Sequence, residues 1–265
     1  MPVTTQPLVT VFTMTYNQRA KILALADDLS AQDWPMDRLE FTVLDDGGTD
    51  GTAEALEEAA GKLPYRVRVL RREHEADYLS ARRWNECIAG SDPETAVFIQ
   101  VDDVRVRPDF VRRHAAWHIG PGLTVVAGAR FEGDEMTWEL NTCPRAHLAG
   151  ADGEAREGVL WTAFWGASLS YSRELVKTLS TNEYDQPFDA RMTGWGYHEV
   201  EFAGRAAQAG ARMVYDPAVG VFHQNHTPVN DRGRGLDHAE QKDAGARKNE
   251  QYVLNKLGLD SLPRW

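Results

Sequence analysis

The stretch "FIQVDDVRVRPDF", residues 98–110, begins with apolar side chains and runs into two adjacent acids, Asp102 and Asp103. The apolar run over 95–101 predicts a buried strand that ends at these acids. Paired acids at a strand end are typical of a solvated turn, and they are also typical of metal ligands. The elements that surround this strand in the chain are therefore needed to distinguish the two interpretations.

The first hundred residues alternate between strand and helix patterns. This alternation predicts a mostly parallel sheet with helices on both faces and right-handed crossovers. Thr49 or Asp50 is the expected N-cap of the second helix. The predicted strands cover 8–16, 38–47, 65–72 and 95–103, and the predicted helices cover 18–32, 49–63 and 77–91.

Polar clusters follow three of these strands: "TYN" after the first, "DDGGTD" after the second and "VDD" after the fourth. Ligands of parallel α/β sheets bind beyond the carboxyl ends of the strands. Asp and Gly also dominate ordinary turns, so each cluster alone is ambiguous. The convergence of all three at one sheet edge predicts a binding site there.

The second half of the chain is less regular. Residues 230–245 are rich in glycine and charge and are expected to be mobile. The predicted elements are a strand over 123–132, a long loop or small hairpin over 133–158, one or two strands and a short helix within 159–179, a helix from 196 that ends at Gly210, strands up to 226, and a last helix over 246–258.

Composition excludes several classes of protein. The chain has 265 residues, 42% of them hydrophobic and 26% charged, which is typical of a soluble globular protein. Its net charge of −11 argues against general nucleic-acid binding, which favours basic surfaces. No apolar run reaches the roughly 20 residues of a transmembrane helix, and no signal peptide is evident. The two distant cysteines, Cys87 and Cys143, indicate a reducing cytoplasm.

The ordered motifs "TYN", "DDGGTDGT", "ARRWN", "VDD" and "GWGYHEVEF" resemble those of family-2 glycosyltransferases with the GT-A fold. The resemblance spans roughly residues 8–226. It implies a Rossmann-like, mostly parallel sheet in one domain over 1–265, with a nucleotide-binding half (1–110) and an acceptor-binding half (111–265) that carries a C-terminal lid and helix. It also implies a nucleoside-diphosphate sugar donor, with UDP favoured, and a small-molecule or glycan acceptor. Nothing in the sequence indicates an oligomeric state.

The resemblance also assigns residues to the donor. Asp45 would accept hydrogen bonds from uracil or ribose, Asp102 would lie nearer the ribose, and Arg82 would face the nucleotide while Arg83 is solvated. The nucleotide-binding set is Thr15, Tyr16, Asn17, Asp45, Arg82 and Asp102.

The resemblance places a metal ion at Asp103. The imidazole of His223, or else of His226, would complete the ligands. A carboxylate beside a diphosphate favours Mn²⁺ or Mg²⁺. Gln100 stands where many relatives have the first acid of a D-x-D motif.

Glu199 of "GWGYHEVEF" is the implied general base, although acids in a first helical turn also simply favour the helix dipole. A base opposite the leaving nucleotide implies inversion in one displacement. His198 would bind the acceptor or cap the helix. Trp165 and Trp195 are candidates to stack on the acceptor, and the segment with Arg232 and Arg234 is either a solvated loop or a lid.

Two other functions stay open. A sugar-phosphate nucleotidyltransferase would use a related sheet, but it needs a glycine-rich basic loop, and "TMTYNQRAK" has no glycine. A non-catalytic nucleotide-sugar or carbohydrate-binding protein is suggested by Gln100 and His198. The processive family members carry Q-x-x-R-W, which is absent from the sequence, so transfer of a single sugar is expected.

Overall fold

The computed structural model describes residues 6–75, 77–182, 184, 186–224 and 235–263, without the side chains of 235–239 and 241. Its strands form one eight-stranded sheet in the order β3-β2-β1-β4-β7-β5-β8-β6. The strands are β1 (Val9–Thr15), β2 (Leu39–Asp45), β3 (Arg66–Arg71), β4 (Val97–Val101), β5 (Thr124–Gly133), β6 (Arg156–Glu157), β7 (Ser168–Ser172) and β8 (Arg212–Gln224). The helices are α1 (Arg19–Ser30), α2 (Thr52–Ala60), α3 (Ser80–Gly90), α4 (Phe110–Ala116), α5 (Arg173–Leu179), α6 (His198–Gln208) and α7 (Gly235–Leu257).

The first four strands are parallel, as predicted. β1 pairs with β2 on one side and with β4 on the other, and β3 joins β2 at the edge. In this register Thr15 lies beside Asp45. The carboxyl ends of β1, β2 and β4 therefore open onto the same edge of the sheet, where the sequence placed the site.

Helices cover both faces of the sheet because side chains alternate along each buried strand. On β4, Phe98 packs into the core shared with α3 and α6, whereas Ile99 packs into the core shared with α1 and α4. The predicted α/β architecture, a mostly parallel sheet flanked by helices, is confirmed. Burial of one such large apolar side chain contributes about 1.5–3 kcal/mol.

The start of α2 differs from the prediction. Its N-cap residue is Gly51, with φ of +77°, rather than Thr49 or Asp50. Glycine adopts this left-handed conformation without the steric cost that a Cβ atom brings. Asp50 instead accepts hydrogen bonds from the backbone N–H and the hydroxyl of Thr52, at 3.1 and 2.5 Å.

The second half adds antiparallel strands. β7 runs antiparallel to β4 and β5, while β5 and β8 pair in parallel with a register shift between Gly128 and Arg130. After Gly210 the sequence predicts more than one strand, whereas the structure has the single long strand β8. The long polar segment over 133–158 consists of short 3₁₀ turns and the two-residue strand β6.

Within the segment 230–245 that is expected to be mobile, residues 235–245 form the start of α7, and residues 230–234 lie outside the described residues. α7 is held by long-range contacts. Val253 and Leu257 pack with Met192, and Asn249 donates to the carbonyl of Gly196 at 2.9 Å. Among the described helices, none is long and apolar enough to cross a bilayer.

Candidate active site

The loops that follow β1 and β2 are joined by hydrogen bonds. The side-chain oxygen of Asn17, a residue with φ of +54°, accepts from the N–H of Thr49 at 2.7 Å. Asp45 accepts from the N–H of Gly48 at 2.8 Å. Burial raises the pKa of Asp45 despite this hydrogen bond. The predicted nucleotide residues Asn17, Asp45 and the buried Thr15 are therefore brought together at one rim.

An aromatic pair lies beside this rim. The rings of Tyr16 and His74 stack with centroids 4.1 Å apart and planes 16° from parallel. His74 Nδ1 lies 3.2 Å from both the backbone oxygen and Oδ2 of Asp46. Tyr16 was a predicted site residue. His74 was missed, because its contacts join segments that are far apart in sequence.

The two arginines of "ARRWN" are placed differently from the expectation. Arg83, expected in solvent, is buried and donates from Nε to Asp46 Oδ1 at 2.7 Å. Arg82 is exposed, and its Nη1 lies 4.0 Å from Glu75. The expectation for Arg83 is therefore wrong. The phase of α3 on the sheet turns this side chain toward the loop after β2, where it neutralises Asp46.

The acids after β4 have distinct environments. Asp103 Oδ2 contacts Lys21 Nζ on α1, while Asp103 Oδ1 lies 3.6 Å from Nε2 of His223 on β8. Burial opposes the ionisation of Asp103, but hydrogen bonds from His223 and Lys21 outweigh it and hold its pKa well below the ordinary value. Burial and the charge of Asp103 instead raise the pKa of Asp102.

A metal ion fits this end of the site. The Asp103 carboxylate and the His223 imidazole are two suitable donors, and their 3.6 Å separation allows both to bind one ion. His226, the alternative ligand, lies outside the described residues. Within those residues no group of three or more His, Cys, Asp or Glu side chains could hold an ion by itself. A cavity of 290 Å³ adjoins Lys21 and Asp103.

Glu199 lies in the first turn of α6 and is buried. Burial and the charge of Asp102 raise its pKa to about 7, against the opposing effects of its own amide, the amide of Gly166 and the charge of Arg145. A carboxylate with this pKa can accept a proton near neutral pH. The position of Glu199 suits the predicted role of general base.

His198 occupies a different position from the predicted ones. It is buried, with its ring edge against Trp84 at a centroid distance of 5.9 Å. Burial lowers its pKa to about 4, so the ring is neutral at pH 7. It is not the N-cap, which is Tyr197 with φ of +67°. In this conformation the side chain of His198 is also inaccessible to an acceptor, because it is only 3% exposed and packs against Trp84 of α3.

The two candidate acceptor tryptophans are exposed, Trp165 by 37% and Trp195 by 47%. Trp195 lies between Gly194 and Gly196, which have φ of +83° and +91°. α7 supports this turn, since a Cβ atom on Gly245 would lie 2.6 Å from the backbone nitrogen of Trp195. The ring of Trp165 lies over the guanidinium of Arg145. Arg145 is a residue of the site that the sequence did not reveal.

Gln100 is buried on β4, and neither its amide nitrogen nor its amide oxygen has a hydrogen-bond partner. It lies two residues before Asp102, which directly follows β4. No sequence signal pointed to Lys21, which lies near the start of α1 between Ala20 and Ile22. Arg145 lies in a polar loop with no motif.

The comparisons with known proteins concern the family and the fold. The family model described as "Glycosyl transferase family 2" matches residues 10–180. No curated protein matches the chain. A mannosyltransferase from Pyrobaculum calidifontis, in complex with GDP-Man and Mn²⁺, superposes with a TM-score of 0.66 at 20% identity, covering 97% of this chain and 71% of that one.

A second similar structure is S. aureus TarS 1–349 in complex with UDP-GlcNAc. Its TM-score is 0.66 at 16% identity, and the match covers 93% of this chain. The chain spans 66% of that fragment and 48% of a longer TarS structure. At these identities the likeness shows the fold alone, and the predicted GT-A fold is confirmed.

Proposed function

The chain belongs to glycosyl transferase family 2, and from this membership we propose that it is an inverting, metal-dependent enzyme that transfers one sugar from a nucleoside-diphosphate sugar to an acceptor hydroxyl. The observation that carries the proposal is the buried Glu199 carboxylate, with its pKa near 7, beside the strand-end acid Asp102. We also propose that residues 1–265 form a single domain and that the enzyme is cytoplasmic.

On the donor side, we assign the nucleotide to the rim formed by the loops after β1 and β2. Asp45 and Asn17 offer oxygens for the base and ribose, and Tyr16 offers an aromatic face. Asp102 lies toward the ribose. The structures of similar fold hold GDP-Man, UDP-GlcNAc or UDP, which supports a nucleotide-sugar donor. UDP is our preferred nucleotide, and Arg82 could reach the donor from its exposed position.

Asp103 and His223 are the residues that would hold Mn²⁺ or Mg²⁺. A divalent ion bound there would neutralise the diphosphate and the charge that builds on the leaving group. Lys21 holds the second oxygen of Asp103, so this side chain directs only Oδ1 toward His223. The similar mannosyltransferase structure contains Mn²⁺, which supports this part of the proposal.

On the acceptor side, Glu199 takes the proton from the attacking hydroxyl, because a hydroxyl is a poor nucleophile until its proton is removed. Attack from the face opposite the nucleotide inverts the anomeric carbon in one step, without a covalent enzyme intermediate. Trp165 and Trp195 offer exposed aromatic surface to a sugar ring. The acceptor is a small molecule or a glycan.

The test is a panel of nucleoside-diphosphate sugars with Mn²⁺ and sugar acceptors, with slow donor hydrolysis as a second readout. We expect turnover with at least one donor and its loss in Glu199→Gln. Glu58→Gln, at an exposed site away from the sheet edge, is the matched control. Binding of UDP without transfer or hydrolysis would instead indicate a non-catalytic binding protein, and full activity of Glu199→Gln would refute the assigned base.

A further inference from the structure

Arg145 is a buried cation whose partners are backbone carbonyls. It is 1% exposed. Its Nη1 donates to the carbonyls of Ala163 and Trp165 at 3.0 and 2.9 Å, and its Nη2 donates to that of Gly128 at 3.1 Å. No carboxylate of the described residues forms an ion pair with it. A charge buried without a counter-ion is costly to fold, so this position calls for a reason beyond packing.

The loop that Arg145 holds is conformationally unusual. Gly166 and Ala167 have φ of +51° and +67°, and the second value is strained for a residue with a Cβ atom. The amides of this turn act on the acids of the site: that of Gly166 on Glu199 and that of Ala167 on Asp102. Both amides favour the ionised carboxylates.

The same arginine supports the acceptor side. Its Cζ lies 4.2 Å from the ring centroid of Trp165, which leaves the rest of that ring partly exposed. An arginine stacked on an indole is a favourable cation–π contact and fixes the orientation of the ring. Arg145 is therefore linked both to the exposed aromatic surface and, through the turn over 165–167, to the carboxylates.

We propose that Arg145 is a positioning residue for the transfer reaction: it fixes the turn over 165–167 against Glu199 and Asp102, and it presents the ring of Trp165 to the acceptor, which we assign to the class of sugars with an apolar ring face. The inference rests on the proposed function. It goes beyond that function by giving one side chain control over the charge of the base and over the acceptor surface.

The charged and titratable groups that act on Glu199 come from three elements. Asp102 follows β4, Tyr171 lies on β7, and Arg145 lies in the loop after β5. The negative charge of Asp102 favours protonated Glu199, whereas the positive charge of Arg145 favours the ionised form. Removing Arg145 should therefore make Glu199 bind its proton more tightly, both through the lost charge and through the released turn.

The experiment measures protonation of Glu199 without turnover. The free energy of unfolding is measured against pH for the parent protein and for Glu199→Gln, and the difference between the two is plotted. The same difference is then measured in the background of Arg145→Met and in the background of Arg145→Lys. We expect the midpoint of this difference to move up by about half a pH unit or more in Arg145→Met, and to return toward the original value in Arg145→Lys. An unchanged midpoint would overturn the proposal, since a purely structural role lowers stability at every pH without moving it.

A second variant covers the case in which Arg145→Met does not fold. Trp165→Ala keeps the guanidinium and its three carbonyl bonds but removes the ring. With soluble glycoside acceptors, we expect the KM for acceptor to rise about tenfold, as for a lost aromatic contact, while the Kd for UDP with Mn²⁺ is unchanged. An unchanged acceptor KM, or a matching loss of UDP affinity, would overturn the role of Trp165. If the parent protein transfers no sugar, the proposed function is refuted. The pH dependence of the unfolding free energies can still be measured in that case, so the two failures are distinguishable.

Discussion

Replacing Glu199 by glutamine should stabilise the protein at alkaline pH. The pKa of Glu199 rises from the ordinary 4.5 to about 7 in the fold, because burial and Asp102 disfavour its charge. The folded state therefore binds a proton that the unfolded state has already lost between these two pH values. For such an acid the stability is fully present below pH 4.5 and falls as the pH rises through about 7.

The size of the effect follows from the same two values. Each pH unit between them corresponds to about 1.4 kcal/mol, so ionised Glu199 costs the folded state about 3 kcal/mol above pH 7. Glutamine has a similar shape and never ionises. We expect Glu199→Gln to match the parent protein near pH 4.5 and to exceed its free energy of unfolding by about 3 kcal/mol at pH 8.

Urea denaturation between pH 4.5 and pH 8.5 measures this difference directly. The matched control is Glu201→Gln, two residues further along α6. Glu201 is also buried, but it pairs with Arg205 at 2.5 Å and with Lys256 at 2.8 Å. Its replacement takes the buried carboxylate away from Arg205, while Lys256 keeps Asp189 at 2.6 Å, and it should destabilise the fold by about 3–5 kcal/mol. A Glu199→Gln protein that gains no stability between pH 5 and pH 8 would refute the account of Glu199.

Three further predictions concern activity and ligand binding. The kcat/KM for transfer or donor hydrolysis should rise with pH through about 7, because Glu199 must lose its proton to act as base; a profile that is flat from pH 6 to pH 8 would contradict this. Lys21→Met should increase the affinity for Mn²⁺ about threefold to tenfold, read by electron paramagnetic resonance, because the ammonium group no longer competes for Asp103; weaker binding would show that Lys21 assists the metal instead. Arg83→Ala should weaken UDP binding in calorimetry about tenfold, and the exposed neighbour Arg82→Ala about twofold or less, because only the first releases the loop after β2; the reverse order would restore the original assignment to Arg82.

The alternation of elements in the first hundred residues was predictable, because each strand and helix carries its own period in the sequence. The acids Asp45 and Asp102 could be placed at the sheet edge for the same reason, since they directly follow buried strands. α4 was missed: its seven residues are too few to show a clear helical period. The helical start of α7 was missed because the segment is rich in glycine and charge, and because the close approach of Gly245 to Gly194 joins residues that are far apart in sequence.

The side chains that connect the site were the least predictable part. Arg82 and Arg83 are adjacent in sequence, and successive residues of a helix differ by about 100° around its axis. Which of them meets Asp46 depends on how α3 is rotated against the sheet, a property of tertiary packing. Arg145 has no motif at all, because its partners are backbone carbonyls, which every residue possesses.

Gln100 has a physical rationale in the charge balance of the site. Asp102, Asp103 and Glu199 already place three acids around the end of β4, and the charge of Asp102 helps to raise the pKa of Glu199. A fourth buried acid at position 100, two residues before Asp102, would favour protonation of Asp102 and Glu199 further. A neutral amide at this position avoids that added repulsion. The departure from an acidic motif is therefore compatible with a base that must lose its proton near pH 7.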